Sequence, residues 1–458
     1  MISKAILKEF QKIVGKEKVL ATEAATMSYS YDGFLDKPVK PDVVVQPQQD
    51  EQISKLVFLC QKLEMPMTIR GSGSNLSGGA IPVKNGCVIS TSAMNKIKQI
   101  DYTDMYAVVQ PGVITKTLAD NVERNGFFYP PDPSSMSIST LGGNVAENAG
   151  GLRGLKYGVT KDYVMGMTFI DSDGNTVKTG GKTVKQASGF NLSGFMVGSE
   201  GSFGLITEII LKITPRPAAS RAMTVDFDDL NKASQSVADI IAAKVLPATM
   251  EILDNYTIRS VEAATSIGLP VDAQAILFIE LDGHPAHVDD DFAIVQKICK
   301  KNSGNIKIAR SESEKNKLWQ GRRKALSSLA RVKPTLILED ATVPRSKIPD
   351  MMKKIQSISK KFNISIGTFG HAGDGNLHPT ILTDRRNPEE MKRVEKAIDE
   401  IFDAALELDG TLSGEHGVGI AKARYLEKEL GKGTILFMKK LKKGLDEKNL
   451  LNPGKVGL

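Results

Sequence analysis

The sequence predicts an α+β protein of two domains, and three observations carry that reading. Its 458 residues exceed what one hydrophobic core usually serves. From residue 38 to about 215, short Val- and Ile-rich runs alternate with glycine-dense turns, the rhythm of strands with close backbone approaches. From 221 onward the glycines thin out and long helical stretches take over, with strands between them.

In chain order, MISKAILKEFQKIVG places Ile2, Ile6, Phe10 and Ile13 near helical spacing with Lys and Glu between them. That is a surface helix, and it has neither the apolar core nor the cleavage site of a signal peptide. The strand-length runs DVVVQP, MTIR, CVIS, YAVVQP and MTFID follow, the last entering the turn SDGN. The stretch TPRPAAS at 214–220 interrupts this rhythm and marks a domain boundary. Beyond it come the helical stretches DFDDLNKASQSVADIIAAK, HVDDDFAIVQKICKK, SESEKNKLWQGRRKALSSLA and IPDMMKKIQSISKKF, with strands AILFIEL, PTLILED and NISIGTFG. This order predicts an antiparallel sheet covered by helices on one side. A last helix in EKELGKGTILFMKKLKKGLDEKNLLNPGK ends in an Asn-Pro-Gly turn, and no short repeat or low-complexity tract is evident.

Composition excludes several classes. Hydrophobic residues at 41% and charged residues at 25% are ordinary globular values. No apolar run approaches the roughly 18 residues that a spanning helix needs. Cys60, Cys87 and Cys299 are scattered and odd in number. This points to a reducing, cytoplasmic compartment and against a disulfide framework, and it leaves too few ligands for an iron–sulfur cluster. The net charge of +7 comes from lysines spread over helices such as KKIQSISKKF, with few aromatics among them. A solvated face, an anionic substrate or an acidic partner accounts for it better than nucleic acid does.

Three glycine clusters stand out: RGSGSNLSGGA at 70–80, PPDPSSMSISTLGGNVAENAGGLRGLKYG at 130–158 and GSEGSFGLITEIILKI at 198–213. Glycine lets backbone N–H groups converge on an anion. One cluster alone reads as a tight turn, whereas three in one domain suit a long phosphorylated cofactor. Neither GxGxxG after an early strand nor GxxxxGK[ST] occurs, so the Rossmann and P-loop solutions are not supported.

The chemistry-bearing runs are HAGDGNLH at 371–378 and SGEHG at 413–417, which hold three of the five histidines. The strand ISIGTFG leads into His371, Asp374 and Asn376 sit in a glycine turn, and His378 opens the next extended piece. Such a turn brings both imidazoles to one side of a strand end. With Glu415 as a carboxylate donor, they would form a His/His/Glu ligand set with open positions. Packed histidines beside a common turn are the other reading of the same residues.

The order RGSG, PPDPSS, GGNVAENAGG, RGLKYG, GSEGSFGLITE, HAGDGNLH, SGEHGVG and LNPGK resembles the flavin-dependent D-2-hydroxyacid dehydrogenases. These are the D-lactate dehydrogenase and glycolate oxidase catalytic-subunit group of the vanillyl-alcohol-oxidase superfamily, and the resemblance spans essentially the whole chain. It implies a vanillyl-alcohol-oxidase-type (PCMH) FAD-binding domain of two subdomains over 1–218. An α+β substrate cap over 219–425 would follow, with a tail over 426–458 returning to the FAD domain. In the first loop the FAD-binding residues would be Arg70, Gly71, Ser72, Gly73, Ser74, Asn75 and Ser77. Pro131 and Asp132 would follow, then Gly142, Gly143, Asn144, Ala146, Asn148, Gly150 and Gly151. Gly198, Glu200, Gly201, Gly204, Ile206 and Asn452 would complete the set. No histidine precedes 284 and no cysteine lies between 88 and 298, so the nucleophiles that tether flavin in some relatives are missing and FAD would be noncovalent.

The resemblance also implies a divalent ion, Zn, Fe or Mn, on His371, His378 and Glu415, with His416 as the base. Oxidising a 2-hydroxy acid requires such a group, because the hydroxyl proton must leave as the Cα hydrogen departs as hydride to flavin. Arg322, in LWQGRRKA, resembles the arginine that pairs with the substrate carboxylate, and Arg345, in EDATVPRSK, is a second candidate. Members acting on 2-hydroxyglutarate carry a lysine where this chain has Leu338, which favours D-lactate to pyruvate, with glycolate and D-2-hydroxyglutarate as alternatives. The D preference rests on the resemblance alone. Electrons would pass to an electron-transferring flavoprotein, as in electron-bifurcating lactate dehydrogenase complexes, or to an iron–sulfur subunit. A membrane quinone reached from a peripheral position is the further option. Two other readings keep the fold: an ether-lipid-synthase-like or aryl-alcohol-oxidase-like reaction, and a noncatalytic FAD-binding subunit of a larger redox complex. The His371, His378, Glu415 and His416 set weighs against both.

Overall fold

The computed structural model describes residues 2–35 and 37–458. They divide into two compact units, one of Met1–Gly151, Gly158–Arg216 and Glu415–Leu458, the other of Leu152–Tyr157 and Pro217–Gly414. After a short excursion of Leu152–Tyr157, the main crossing to the second unit falls inside TPRPAAS. The chain returns to the first unit at Glu415 rather than at the expected 426. The cause is local: Val418 and Gly419 N–H donate to the Glu200 carboxylate, and Ile420 and Ala421 N–H to the Ser77 carbonyl, so the segment after Gly414 is bonded into the first unit.

The first unit carries two sheets. One contains β1 (Val19–Leu20), β2 (Val43–Val45), β3 (Met67–Arg70) and β4 (Cys87–Ser90) in the order β1-β2-β4-β3, with β4 parallel to both β2 and β3. All three valines of β2 are buried, as expected of a strand covered on both faces. The helix Asp50–Lys62 covers this sheet with Ile53, Leu56, Val57 and Cys60, the i, i+3, i+4, i+7 stripe of an amphipathic helix. Its Asp50 and Glu51 lie in the first turn and Lys62 in the last, complementing the helix dipole. The N-terminal helix Lys4–Val14, capped by Ser3, adds Phe10 and Val14 to the same core.

The second sheet is antiparallel and holds β5 (Ile97–Asp101), β6 (Tyr106–Val109), β8 (Val164–Ile170), β9 (Thr176–Gly180) and β10 (Leu205–Lys212) in the order β5-β6-β10-β8-β9. The short strands β7 (Phe127–Phe128) and β11 (Thr214–Pro215) pair separately.

The second unit is built on one eight-stranded antiparallel sheet. Its strands are β12 (Ala219–Phe227), β13 (Thr249–Asp254), β14 (Ala275–Gly283), β15 (Asn305–Ile308), β16 (Thr335–Leu338), β17 (Ala341–Thr342), β18 (Ser365–His371) and β19 (Asn376–Thr383). The order is β15-β12-β14-β13-β18-β19-β16, with β17 also paired to β19. Helices cover both faces, which corrects the one-sided expectation. Met250, Ile252, Leu277 and Ile279 face the helices Leu230–Ala242, Pro285–Lys301, Ile348–Phe362 and Pro388–Glu407. Leu253, Ile276 and Phe278 point the other way, to Ile258, Val261, Trp319, Ala325 and Leu329. The reason is legible in β14 itself: AILFIEL is apolar at consecutive positions, so neither face can be left to water.

Candidate active site

The β18–β19 hairpin sets His371 opposite Asn376 and Phe369 opposite His378. Alternation along both strands therefore brings Phe369, His371 and His378 to one face. The imidazoles stand edge-on at 90° with centroids 5.1 Å apart, and His378 lies 5.4 Å from the Phe369 ring. The turn needs Gly375, whose φ is +91° and where a Cβ would collide with the Val343 carbonyl. Asp374 braces the turn by accepting the Asn376 N–H at 3.2 Å.

On the same face, β13 supplies Glu251, fully buried. One carboxylate oxygen lies 2.6 Å from His371 Nδ1, and the other accepts Arg322 Nε at 2.6 Å. Burial opposes the charge on Glu251, but His371 and Arg322 outweigh it and hold the carboxyl below its ordinary range. The Arg322 guanidinium lies over Phe369 at 4.7 Å. His378 Nδ1 is 3.8 Å from Asp340, whose two oxygens accept Asn376 Nδ2 at 2.6 Å and Ser413 Oγ at 2.9 Å. The Nδ1 of His371 thus meets a buried carboxylate and that of His378 lies near a second one, a placement of the kind that orients metal-binding histidines. Asn376 Oδ1 is buried without a hydrogen-bond partner, a further acceptor at this spot. The donor set fits a divalent ion. Leu338 pairs with Thr380 in the sheet and so shares the face of His378.

In the first unit the three glycine clusters converge. Arg70 turns into its own loop, donating to the Tyr31 carbonyl at 2.7 Å, and a Cβ on Gly73 would strike its guanidinium. Asn75 and the Ala80 N–H both reach Asp32. Thr140 caps the helix Leu141–Glu147 through the Gly143 N–H, and only glycine fits at Gly71 beside the Thr140 hydroxyl. Asn144 bonds Thr115 at 2.7 Å, and Asn148, left-handed at φ +52°, accepts the Lys161 N–H. The Val145 and Ala146 carbonyls accept Gly198 and Glu200 N–H, joining the second cluster to the third. Asn452 joins the first to the third by donating to the Gly79 and Glu200 carbonyls. Gly151 lies against Asp132, and a Cβ on Gly150 would sit 2.8 Å from the Glu415 carboxylate. A cavity of about 340 Å³ opens among Ser72, Ser92, Asn95, Gly112, Val113, Ile114, Thr117 and Thr140. Its wall is mostly apolar with a few hydroxyls, an amide and glycine backbone, the mixed lining common to cofactor pockets.

The structure thus gathers Arg322 and His371 on Glu251, with His378 against the His371 ring, in the second unit and puts Glu415 and His416 at the start of the returning segment. Arg345 is exposed, beyond a strand end tied to the hairpin turn by the Val343 N–H to Gly375 carbonyl bond. Sequence reading missed Glu251, whose run TMEILD reads as a plain strand, and Asp32. It also missed the cavity residues Ser92, Asn95, Gly112 and Thr140; Gly112 within VVQPGV was the available signal.

Fold and site together define a two-unit FAD-dependent oxidoreductase. The model of the FAD binding domain matches residues 41–180, and that of the C-terminal domain of FAD linked oxidases matches 216–456. The chain is 48% identical over 457 residues to the glycolate oxidase subunit GlcD of Bacillus subtilis, covering 100% of this chain and 97% of that one. It is 31% identical over 473 residues to the D-lactate dehydrogenase of Anaerostipes hadrus, covering 99% and 98%. The fold is that of p-cresol methylhydroxylase, at TM-score 0.82 and 18% identity over 100% of this chain and 98% of that one. Alkyldihydroxyacetonephosphate synthase matches at TM-score 0.79 and 20% identity, over 99% and 86%. The chain belongs to the FAD-linked oxidases, in the group of FAD-linked 2-hydroxyacid dehydrogenases that contains the glycolate oxidase subunit and D-lactate dehydrogenases.

Proposed function

We propose that the protein oxidises a short monocarboxylic 2-hydroxy acid, D-lactate first, to its 2-oxo acid. One observation carries the reading: Glu251 holds His371 and Arg322 at 2.6 Å each, on the face that also bears His378. A site that fixes two metal-type imidazoles beside a guanidinium suits a substrate with adjacent hydroxyl and carboxylate oxygens. Glycolate is a second reading, favoured by the name of the 48% identical relative. A dicarboxylate is disfavoured by apolar Leu338 on the His378 face.

His371 and His378 would hold a divalent ion together with Glu415, which follows directly on Gly414 of the second unit. That unit ties down the neighbouring Ser413 through Asp340. Such an ion supplies a Lewis acid for the substrate oxygens, and noncovalently bound FAD supplies the hydride acceptor. Arg322 would take the carboxylate through its terminal nitrogens, since Nε is engaged by Glu251. Arg345 is the second, more exposed candidate. His416 would accept the hydroxyl proton as the Cα hydrogen leaves. Reoxidation would fall to a protein partner, an electron-transferring flavoprotein or an iron–sulfur subunit, a reading supported by the three cysteines being too few to hold a cluster within this chain. Among the described residues no helix is long and apolar enough to cross a membrane.

The test is anaerobic stopped-flow bleaching of the bound flavin with D-lactate, L-lactate, glycolate and D-2-hydroxyglutarate, on metal-replete and chelated protein. Bleaching by D-lactate or glycolate that chelation abolishes is the expected result. A flavin-loaded protein that none of these acids reduces would sink the proposal.

A further inference from the structure

Directly after His416, the segment of Gly417 to Gly419 is held by two acidic side chains of the first unit that the reaction itself does not call for. Glu200 accepts the N–H groups of both Val418 and Gly419 at 2.7 Å, from a turn where its own backbone is left-handed at φ +49°. Glu147 is packed against the same spot. A Cβ on Gly417 would collide with Glu147 Oε2 and come within 3.1 Å of Glu200 Oε1, so both carboxyls close on one Cα. Glu147 Oε2 is buried and has no hydrogen-bond partner.

Two carboxyls in one buried space cannot both stay ionised at low cost. Burial and then the neighbouring Glu200 push Glu147 well above the usual carboxylate range. Burial raises Glu200 as well, but the Val418 and Gly419 N–H groups pull it back. Asp32, Lys422 and Lys455 are the other charged groups acting on the pair. The two N–H donors on Glu200 make it the better placed of the pair to carry charge, whereas Glu147 Oε2 has no donor.

We propose that Glu200 is a positioning residue for His416: its carboxylate latches the two peptide N–H groups that follow the histidine, while Glu147 closes the space around Gly417. A carboxylate offers both donors an acceptor, whereas an amide offers one acceptor and sets an N–H against the other. The inference rests on the reading of His416 as the base.

Flavin bleaching by D-lactate or glycolate is compared, per bound flavin, in wild type, His416→Asn, Glu200→Gln, Gly417→Ala and the double variant Gly417→Ala/Glu147→Ala. A displaced base slows proton removal without weakening the substrate contacts. Glu200→Gln should therefore lower the limiting rate about tenfold or more while half-saturation moves less than about twofold. Gly417→Ala should show the same selective loss, and adding Glu147→Ala should recover part of it by making room. His416→Asn losing its rate while Glu200→Gln and Gly417→Ala keep theirs would overturn the latch and leave the base reading standing. His416→Asn bleaching at the wild-type rate would overturn both. If Glu200→Gln does not retain flavin, the Gly417 pair decides alone, a wild-type rate in Gly417→Ala counting against the latch.

Discussion

Glu251 shows how much one side chain can settle. Fully buried, it faces one imidazole and one guanidinium, so its charge is compensated on both sides and both partners are oriented by it. Replacing it by glutamine leaves Arg322 buried without a counter-charge, a loss of the kind that costs about 3 kcal/mol or more. It also removes the carboxylate that orients His371, which should weaken divalent-ion binding about 10- to 100-fold. Urea unfolding and metal titration of Glu251→Gln check the two effects separately, and unchanged metal affinity would exclude the orienting role. Neither consequence was legible in TMEILD, because nothing local to that run distinguishes a catalytic-face glutamate from an exposed one.

At the scale of elements, the hairpin depends on Gly375. With φ at +91° and the Val343 carbonyl against its Cα, Gly375→Ala must distort the turn that sets His371 across from Asn376. The expected outcome is a stability loss of about 1 to 3 kcal/mol with weakened metal binding, read by thermal unfolding with and without the ion. Asp254 is a second joint. It caps the helix Asn255–Thr265 through the Thr257 N–H and holds β18 through the Thr368 N–H, each at 2.8 Å. Burial raises its carboxyl from 3.8 to about 6 despite those bonds. The native state then binds a proton that the unfolded chain lacks between those values, so this residue adds stability as pH falls from about 6 toward 4 and withdraws it as pH rises. The swing is about 3 kcal/mol at most. Urea unfolding at several pH values should show a flatter profile for Asp254→Asn than for wild type across that window. An identical profile would place the proton elsewhere. The hairpin could be anticipated from glycine and histidine spacing. The two-sided helical cover could not be read from element order, although the unbroken apolar run AILFIEL already required it.

Across the whole molecule, the C-terminal tail completes the first unit. The Leu450 carbonyl accepts the Met67 N–H and the Asn452 N–H donates to the Met67 carbonyl, so the tail runs alongside β3, which ends at Arg70 in the first glycine loop. Buried Lys442 gathers the Ser202 and Leu451 carbonyls with the Asp446 carboxylate, and Lys455 reaches the Ile81 carbonyl. Removing residues 447–458 should lower the flavin retained per protein, measured as the ratio of flavin to protein absorbance after purification, and full retention would show that the tail is dispensable for the cofactor site.

What the sequence by itself determined was whatever depends on near neighbours. Glycine turns, strand alternation and helix stripes follow from local sterics and periodicity, so the hairpin carrying His371 and His378, the three glycine loops and the break at TPRPAAS could all be read from it. Only the tertiary structure decided which distant charges meet. Glu251 finds His371 across 120 positions, and Glu200 finds Val418 across 218. The physical reason is that a buried charge is tolerated only where the fold delivers compensating donors, and those donors come from whichever elements the packing brings together.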